Sequence, residues 1–197
     1  MYPLLGASVL TLICAIDRGW FWCQLLRQED QIVWQVLEAA REDWQKAGAI
    51  AQQAGHTPIG RFLEAPFKLK RPTLESIRLA LESAGDKEFA QMRKGNKLLE
   101  TVIAISPLLG LLGTVTGLIL TFSNLKIGGA MSSGSTTKAA GGVGEALIST
   151  ATGMIVAIIA LVFFRVFVTL QIKQAEYFSE VGDELALLFH DCHRSDE

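Results

Sequence analysis

One carboxylate, Glu145, lies inside the longest apolar stretch of this sequence. Between residues 139 and 170 the charged residues are Glu145 and Arg165 alone. A carboxylate within a membrane span costs several kcal/mol unless it is paired, hydrated or protonated, so it is retained where function or assembly requires it. Glu145 is therefore the first candidate for a residue that handles an ion, most simply a proton.

Hydroxyl side chains accompany Glu145 on the same predicted helix. At about 100° per residue, Ser149 and Thr152 lie within about 40° of Glu145, where they can hydrogen-bond the carboxyl or hold water as pore-lining residues. Thr150 is about 140° away and should face a different neighbour. Two other interpretations of Glu145 stay open. It can snorkel to the interface at the outer end of a long helix, or it can form an interhelical hydrogen bond that only fixes assembly.

A second apolar stretch carries a stripe of small and hydroxyl residues within about 100° of the helical wheel. Glycines at this spacing let helix backbones approach closely in lipid, which predicts helix packing by Gly110, Gly113 and Gly117. The hydroxyl of Thr114 can both donate and accept a hydrogen bond, so part of the stripe can also line a polar path. The two interpretations are compatible. The stripe consists of Ser106, Gly110, Gly113, Thr114, Gly117 and Thr121.

Three apolar blocks are long enough, or nearly so, to cross a membrane. Half of the residues are hydrophobic and 19% are charged, below the roughly 25% of globular proteins. Residues 101–122 would span about 33 Å as a helix, and residues 139–170 exceed one perpendicular crossing. The first block, residues 3–24, lacks the basic start and the small-residue cleavage site of a signal peptide, and Trp20 and Trp22 are typical interface anchors.

The sequence thus predicts an all-α membrane protein with three transmembrane helices and long cytoplasmic helical extensions. We expect transmembrane helices over residues 1–24, 99–124 and 139–171, a cytoplasmic helical segment over 25–98, an external connector over 125–138 and a cytoplasmic tail helix over 172–197. Orientation follows the basic residues next to the spans. Those beside the large segment, Arg18, Arg27, Arg93, Lys94 and Lys97, outnumber Lys126 and Lys138 of the connector.

Helical periodicity also marks the polar segments. An amphipathic stripe at i, i+3, i+4, i+7 and i+11 predicts one helix that ends near residues 55–58. Thr73 is the predicted N-cap of the next helix, which could run as far as residue 122. The tail repeats the pattern. The stripe residues are Val33, Val36, Leu37, Ala40 and Trp44 in the first helix, and Tyr177, Val181, Leu185 and Leu188 in the tail.

Other functions find little support in the sequence. A net charge of -2 gives no reason to expect nucleic acid, and neither a phosphate-binding loop nor a nucleophile–base pair is present, so we predict no enzyme and no cofactor. The spacing of Cys14, Cys23 and Cys192 suggests neither a metal finger nor a disulfide framework. A tail cluster, His190-Asp191-Cys192-His193, has metal-ligand chemistry but is more often solvated, and we predict no metal.

Two sequence runs carry a family resemblance. LLGLLGTVTG at residues 108–117 and EALISTATG at residues 145–153 resemble the signature stretches of the MotA/TolQ/ExbB proton channel family. The three-span layout is nearest to ExbB and TolQ, because MotA-like proteins have four spans. One departure is that Gly141-Gly142 stands where ExbB has a Pro-Gly pair shortly before the glutamate.

The resemblance implies a motor subunit of the bacterial inner membrane, with a periplasmic N-terminus and connector and a cytoplasmic C-terminus. It implies a homo-pentamer in membrane lipid that surrounds an ExbD- or TolR-like single-span dimer. Proton flow would drive work on a TonB- or TolA-like protein and so energise an outer-membrane process. The proton pathway would use Glu145, Thr114 and Thr150. The alternative is a non-conducting membrane scaffold that anchors a partner complex, with Glu145 serving assembly only.

Overall fold

Long helices account for most of the chain. The computed structural model describes residues 2–127 and 133–194, and within them we number six α-helices. A short 3-10 turn at Pro66–Lys68 follows the third helix. The helices are α1 (Tyr2–Glu42), α2 (Trp44–Gln53), α3 (Pro58–Glu64), α4 (Leu74–Met92), α5 (Asn96–Ile127) and α6 (Ser133–Arg194).

Three stretches of the described chain are long and apolar enough to cross a membrane. They fall within Leu4–Glu42, Leu74–Ser123 and Gly141–Asp191. This confirms the all-α class and the three spans expected from the sequence. The helix expected from residue 74 to 122 is divided, because α4 ends at Met92 and Gly95 adopts a φ of 88°, a conformation that favours glycine. Of the predicted connector, residues 128–132 lie outside the described residues, while Ser133 already begins α6.

The chain forms two units. The first, here called the apolar unit, comprises Met1–Asp17 and Gly95–Phe167. It contains the start of α1, all of α5 and the first half of α6. Large aliphatic side chains such as Leu108, Ile119 and Ile155 point outward, as expected for surfaces that meet lipid or other membrane helices.

The second unit, here called the polar unit, comprises Arg18–Lys94 and Val168–Glu197. The predicted stripe at Val33, Val36, Leu37 and Ala40 is buried, and so are Val181 and Leu185 of the tail. The stripe does not continue in one helix to Trp44, however. Asp43 adopts an extended backbone and its carboxylate accepts a 2.8 Å hydrogen bond from the Gln45 amide, which ends α1 and caps α2.

Capping residues also fix the starts of α3 and α4. Thr57 accepts a hydrogen bond from the Gly60 amide and is followed by proline, a favoured first residue of a helix. The predicted N-cap at Thr73 is confirmed, because it forms a reciprocal capping box with Ser76. Phe178 of α6 packs against the rings of α3 and α4, with centroid distances of 4.7 Å to Phe62 and 5.4 Å to Phe89.

Candidate functional site

Four glycines bring α5 and α6 into close backbone contact in the apolar unit. A methyl group on Gly110 would lie 3.0 Å from the Cα of Thr150, and one on Gly117 would lie 2.9 Å from the Cβ of Ala146. At Gly113 the added methyl would collide with the Ser149 side chain. The sequence predicts helix packing for these three glycines, and the structure places all three against α6.

Gly153 makes the closest backbone approach of the four and was not among the predicted packing residues. A methyl group there would lie 2.6 Å from the carbonyl oxygen of Ser106 and 3.1 Å from the Cα of Gly110. Gly142 adds a further contact, since a methyl group on it would collide with the Thr121 hydroxyl. The contact therefore runs along α6 from Gly142 to Gly153, over about three turns.

One hydrogen bond joins the two helices across this contact. The hydroxyl of Thr150 donates to the carbonyl oxygen of Gly110 at 3.0 Å. The absence of a side chain on Gly110 is what allows this approach, because a Cβ would occupy the same space. Thr150, a predicted pathway residue, thus holds α6 against α5 in the single chain.

The other hydroxyls of the candidate site bond to their own helices or lie buried. Thr114 is half-buried and donates to the Leu111 carbonyl at 2.7 Å, and Thr152 donates to the Ile148 carbonyl at 2.8 Å. Ser149 is buried against Gly113. The hydroxyl of Ser106 is buried and makes no hydrogen bond within the described part of the chain.

Glu145 lies at the edge of the α5–α6 contact, with its side chain exposed. Its neighbour Ala146 is buried against Gly117, and about 100° of helix rotation separates the two. Ser149 faces α5 and Thr150 lies on the opposite edge, so the single chain does not gather Glu145 and the two threonines into one pocket. An exposed carboxylate on an apolar helix requires water, an ion or another chain to satisfy it in a bilayer.

The apolar character of these helices, the glycine contact and the exposed carboxylate all fall inside one region of sequence similarity. The family model described as the MotA/TolQ/ExbB proton channel family matches residues 54–180. The chain belongs to this family. The match includes α5 and the part of α6 that carries Glu145, and it extends into the polar unit.

Two relatives match almost the whole length of this chain, and a third matches a smaller part of it. It is 61% identical to the biopolymer transport protein ExbB-like 1 of Synechocystis sp. over 97% of this chain and 75% of the relative. It is 37% identical to ExbB-like 3 of the same organism over 99% of this chain and 92% of the relative. The TolQ protein of Pseudomonas aeruginosa is 27% identical over 74% of this chain and 62% of that protein.

One buried polar pair of the polar unit, Glu29 and Gln174, was not predicted from the sequence. Glu29 and Gln174 are 4% and 3% exposed, and the Gln174 amide donates to both carboxylate oxygens of Glu29 at 2.8 Å. A signal for each was present in the sequence. Glu29 precedes the apolar stripe by one turn, at i−4 from Val33, and Gln174 precedes Phe178 in the same way.

The predicted tail cluster is only partly described. His190 and Asp191 are exposed, with 3.7 Å between the His190 Nδ1 and an Asp191 carboxylate oxygen. The side chains of Cys192 and His193 lie outside the described residues. Among the side chains that are described, no group of three or more histidine, cysteine or acidic residues could hold a metal ion.

Proposed function

We propose that this chain is an ExbB/TolQ-like subunit of an inner-membrane motor driven by the proton motive force. The observation that carries the proposal is Glu145, an exposed carboxylate in the membrane span of a chain that belongs to a proton channel family. A carboxyl group on an apolar helix can bind a proton, lose its charge and release the proton again. A membrane potential of 100 mV supplies about 2.3 kcal/mol per charge moved, which is enough to bias such a step.

The surroundings of Glu145 support a site completed by other chains. In one copy, α5 and α6 contact each other through glycines while Glu145 and Thr152 lie outside the most buried part of that contact. Several copies arranged around an axis would place these polar groups inward, away from lipid. We propose a homo-pentamer whose central space holds an ExbD- or TolR-like single-span dimer. Thr114 and Thr150 flank the proposed proton pathway.

The proposed partners follow the names of the relatives. Relatives are called biopolymer transport protein ExbB and Tol-Pal system protein TolQ. By analogy, this subunit would pass mechanical work to a TonB- or TolA-like protein and energise a process at the outer membrane. The polar unit and the tail would lie in the cytoplasm, and residues 125–138 in the periplasm, as the basic residues beside the spans predict.

Substitution of Glu145 by glutamine tests the proposal, because it keeps the shape of the side chain and removes titration. We expect the variant to assemble as the wild type does, measured by native mass spectrometry, and to lose transport that depends on the proton motive force in cells. Glu176→Gln is a matched control, since Glu176 is an exposed glutamate on the same helix outside the predicted span. Full activity of Glu145→Gln would leave the scaffold as the better account.

The oligomer needs its own test. The wild-type chain extracted in native-like lipid should have the mass of five copies and co-purify with a single-span protein. Gly113→Leu should break this assembly, because even a methyl group at that position collides with Ser149. Thr114→Val should preserve it, because the hydroxyl of Thr114 bonds to the Leu111 carbonyl within α5. The variant should lower activity, because it removes a hydroxyl of the proposed pathway. A stable monomer of the wild type would contradict the proposal.

A further inference from the structure

The polar unit contains two buried glutamates that are compensated in different ways. Glu88 is 6% exposed and forms a two-point contact with the guanidinium of Arg61, at 2.8 Å from Nε and 2.5 Å from Nη2. Its negative charge therefore meets a positive charge, and the hydrogen bonding to Glu88 raises the pKa of Arg61. Glu29 is buried to the same degree, but its hydrogen-bonding partner is the neutral amide of Gln174.

A buried carboxylate without a compensating cation favours its protonated form, because burial penalises the charge. The neighbour Asp30 adds to this effect, since a second negative charge also disfavours ionisation. Burial, the largest effect, raises the pKa of Glu29, the hydrogen bond from Gln174 lowers it and Asp30 raises it, and together they bring the pKa from 4.5 to about 7. A pKa in this range allows the carboxyl group to gain or lose its proton near neutral pH.

The amide of Gln174 can serve Glu29 in both protonation states. When Glu29 is ionised, the amide nitrogen donates to its two oxygens at 2.8 Å. When Glu29 is protonated, rotation of the amide by 180° presents its oxygen, which can accept the carboxyl proton. A proton can therefore bind or leave without stranding a buried polar atom, which would cost about 1–3 kcal/mol.

Ionisable groups lie close enough to the buried pair to interact with it electrostatically. Asp30 is exposed on the same helix, and its carboxylate accepts a 2.9 Å hydrogen bond from the hydroxyl of half-buried Tyr177 on α6. The pKa of Tyr177 is raised most by burial, next by the hydrogen bond to Asp30, and less by the charges of Glu29 and Glu180. At the end of α4, the Met92 carbonyl accepts a hydrogen bond from Gln171. Arg93, which follows α4, lines the cavity beside this bond.

We propose that Glu29 and Gln174 form a proton-binding site in the polar unit, at the contact of α1 with α6, that exchanges protons with the surrounding water. It is separate from the site proposed at Glu145 and does not require conduction through it. Because the ionised form is the costly one in this contact, loss of the proton should weaken the packing of α1 on α6.

Infrared difference spectroscopy of the full-length protein in lipid tests this proposal, because the carbonyl stretch of a carboxyl group reports its protonation directly. We expect one carboxyl to titrate with a midpoint near pH 7 in the wild type and to be absent from Glu29→Gln. The same titration should persist in Glu38→Gln, which removes an exposed glutamate of α1, and in Glu145→Gln. Its persistence in Glu145→Gln would separate this proposal from the proposed function.

Two further variants keep the test decisive if Glu29→Gln fails to fold. Asp30→Asn removes the neighbouring charge and should move the midpoint to lower pH. Gln174→Leu removes the hydrogen bond to the ionised form and should move it to higher pH. A carboxyl with a near-neutral midpoint that persists in Glu29→Gln, a midpoint that ignores both changes, or the lack of any such titration in the wild type would overturn the proposal.

Discussion

The contact at Gly153 gives a prediction whose size follows from the structure. In Gly153→Ala the new methyl group would lie 2.6 Å from the Ser106 carbonyl oxygen and 3.1 Å from the Cα of Gly110. Both neighbours are backbone atoms of α5, so they cannot rotate aside as a side chain can. The two helices must separate along their most intimate contact to accommodate the methyl group.

The cost can be bracketed against a matched control on the same helix. Gly144 has no heavy atom within 4 Å of an added methyl group, so Gly144→Ala should gain only the helix propensity of alanine, about 1 kcal/mol. Gly153→Ala gains the same helix propensity but also overpacks the α5–α6 contact, which typically costs about 1–3 kcal/mol. We therefore expect Gly153→Ala to be less stable than Gly144→Ala by about 1–3 kcal/mol.

Reversible unfolding in mixed detergent or lipid micelles, with both variants measured side by side, provides the assay. The free energy of unfolding of Gly153→Ala should fall below that of Gly144→Ala, and the larger Gly153→Leu should fall further. Equal stabilities of the two alanine variants would refute the inference that α5 and α6 meet through backbone contact at this position.

Three further predictions concern topology, pH and the buried ion pair. In a background without the native cysteines, a cysteine at Ser133 should react with an impermeant thiol reagent in intact cells, whereas one at Glu180 should not; the opposite pattern would reverse the topology. The folded pKa of Glu29 is about 7 against an ordinary 4.5, so its contribution to the free energy of unfolding should be complete below pH 4.5 and should fall by about 3 kcal/mol as the pH rises through 7. Unfolding measurements across this range should show no such loss for Glu29→Gln. Arg61→Met leaves a buried carboxylate without its partner and should lower the free energy of unfolding by about 3–5 kcal/mol. Glu88→Gln should lower it less, because the side chain of Arg61 is 37% exposed and can be hydrated. Equal losses in the two variants would contradict this assignment.

Apolar length and periodicity were sufficient to predict the helical architecture. Uncharged stretches predicted the spans because a membrane helix must present apolar side chains over about 20 residues. The capping role of Thr73 was also predictable, since capping is a local interaction between residues three apart. The end of α1 at Asp43 was missed, because the apolar spacing continues past it to Trp44 and only the capping hydrogen bond reveals the break.

The candidate site was less predictable because its contacts join distant parts of the chain. The apolar sequence context singled out Glu145, and the small-residue stripe singled out Gly110, Gly113 and Gly117. The partner of each glycine depends on how α5 and α6 align, which no local pattern specifies. For this reason Gly153, with the closest backbone approach, was not identified from the sequence.

The buried pair in the polar unit has a recognisable signal in the sequence. Glu29 and Gln174 each occupy the apolar face of an amphipathic helix, where polar side chains are costly unless they are hydrogen-bonded. Their 145-residue separation concealed that they are partners. A polar residue at an apolar position of a helical stripe is itself an indication of a buried interaction with another segment.

Proton flux through the assembled complex tests the central claim most directly. Inverted membrane vesicles or liposomes that contain this chain with its co-purifying single-span partner would carry a trapped pH indicator, and a potassium diffusion potential would supply the driving force. We predict flux with the wild type and with Glu176→Gln, and no flux above empty vesicles with Glu145→Gln. Wild-type flux in Glu145→Gln, with the oligomer intact, would contradict the assignment of Glu145 as the proton carrier.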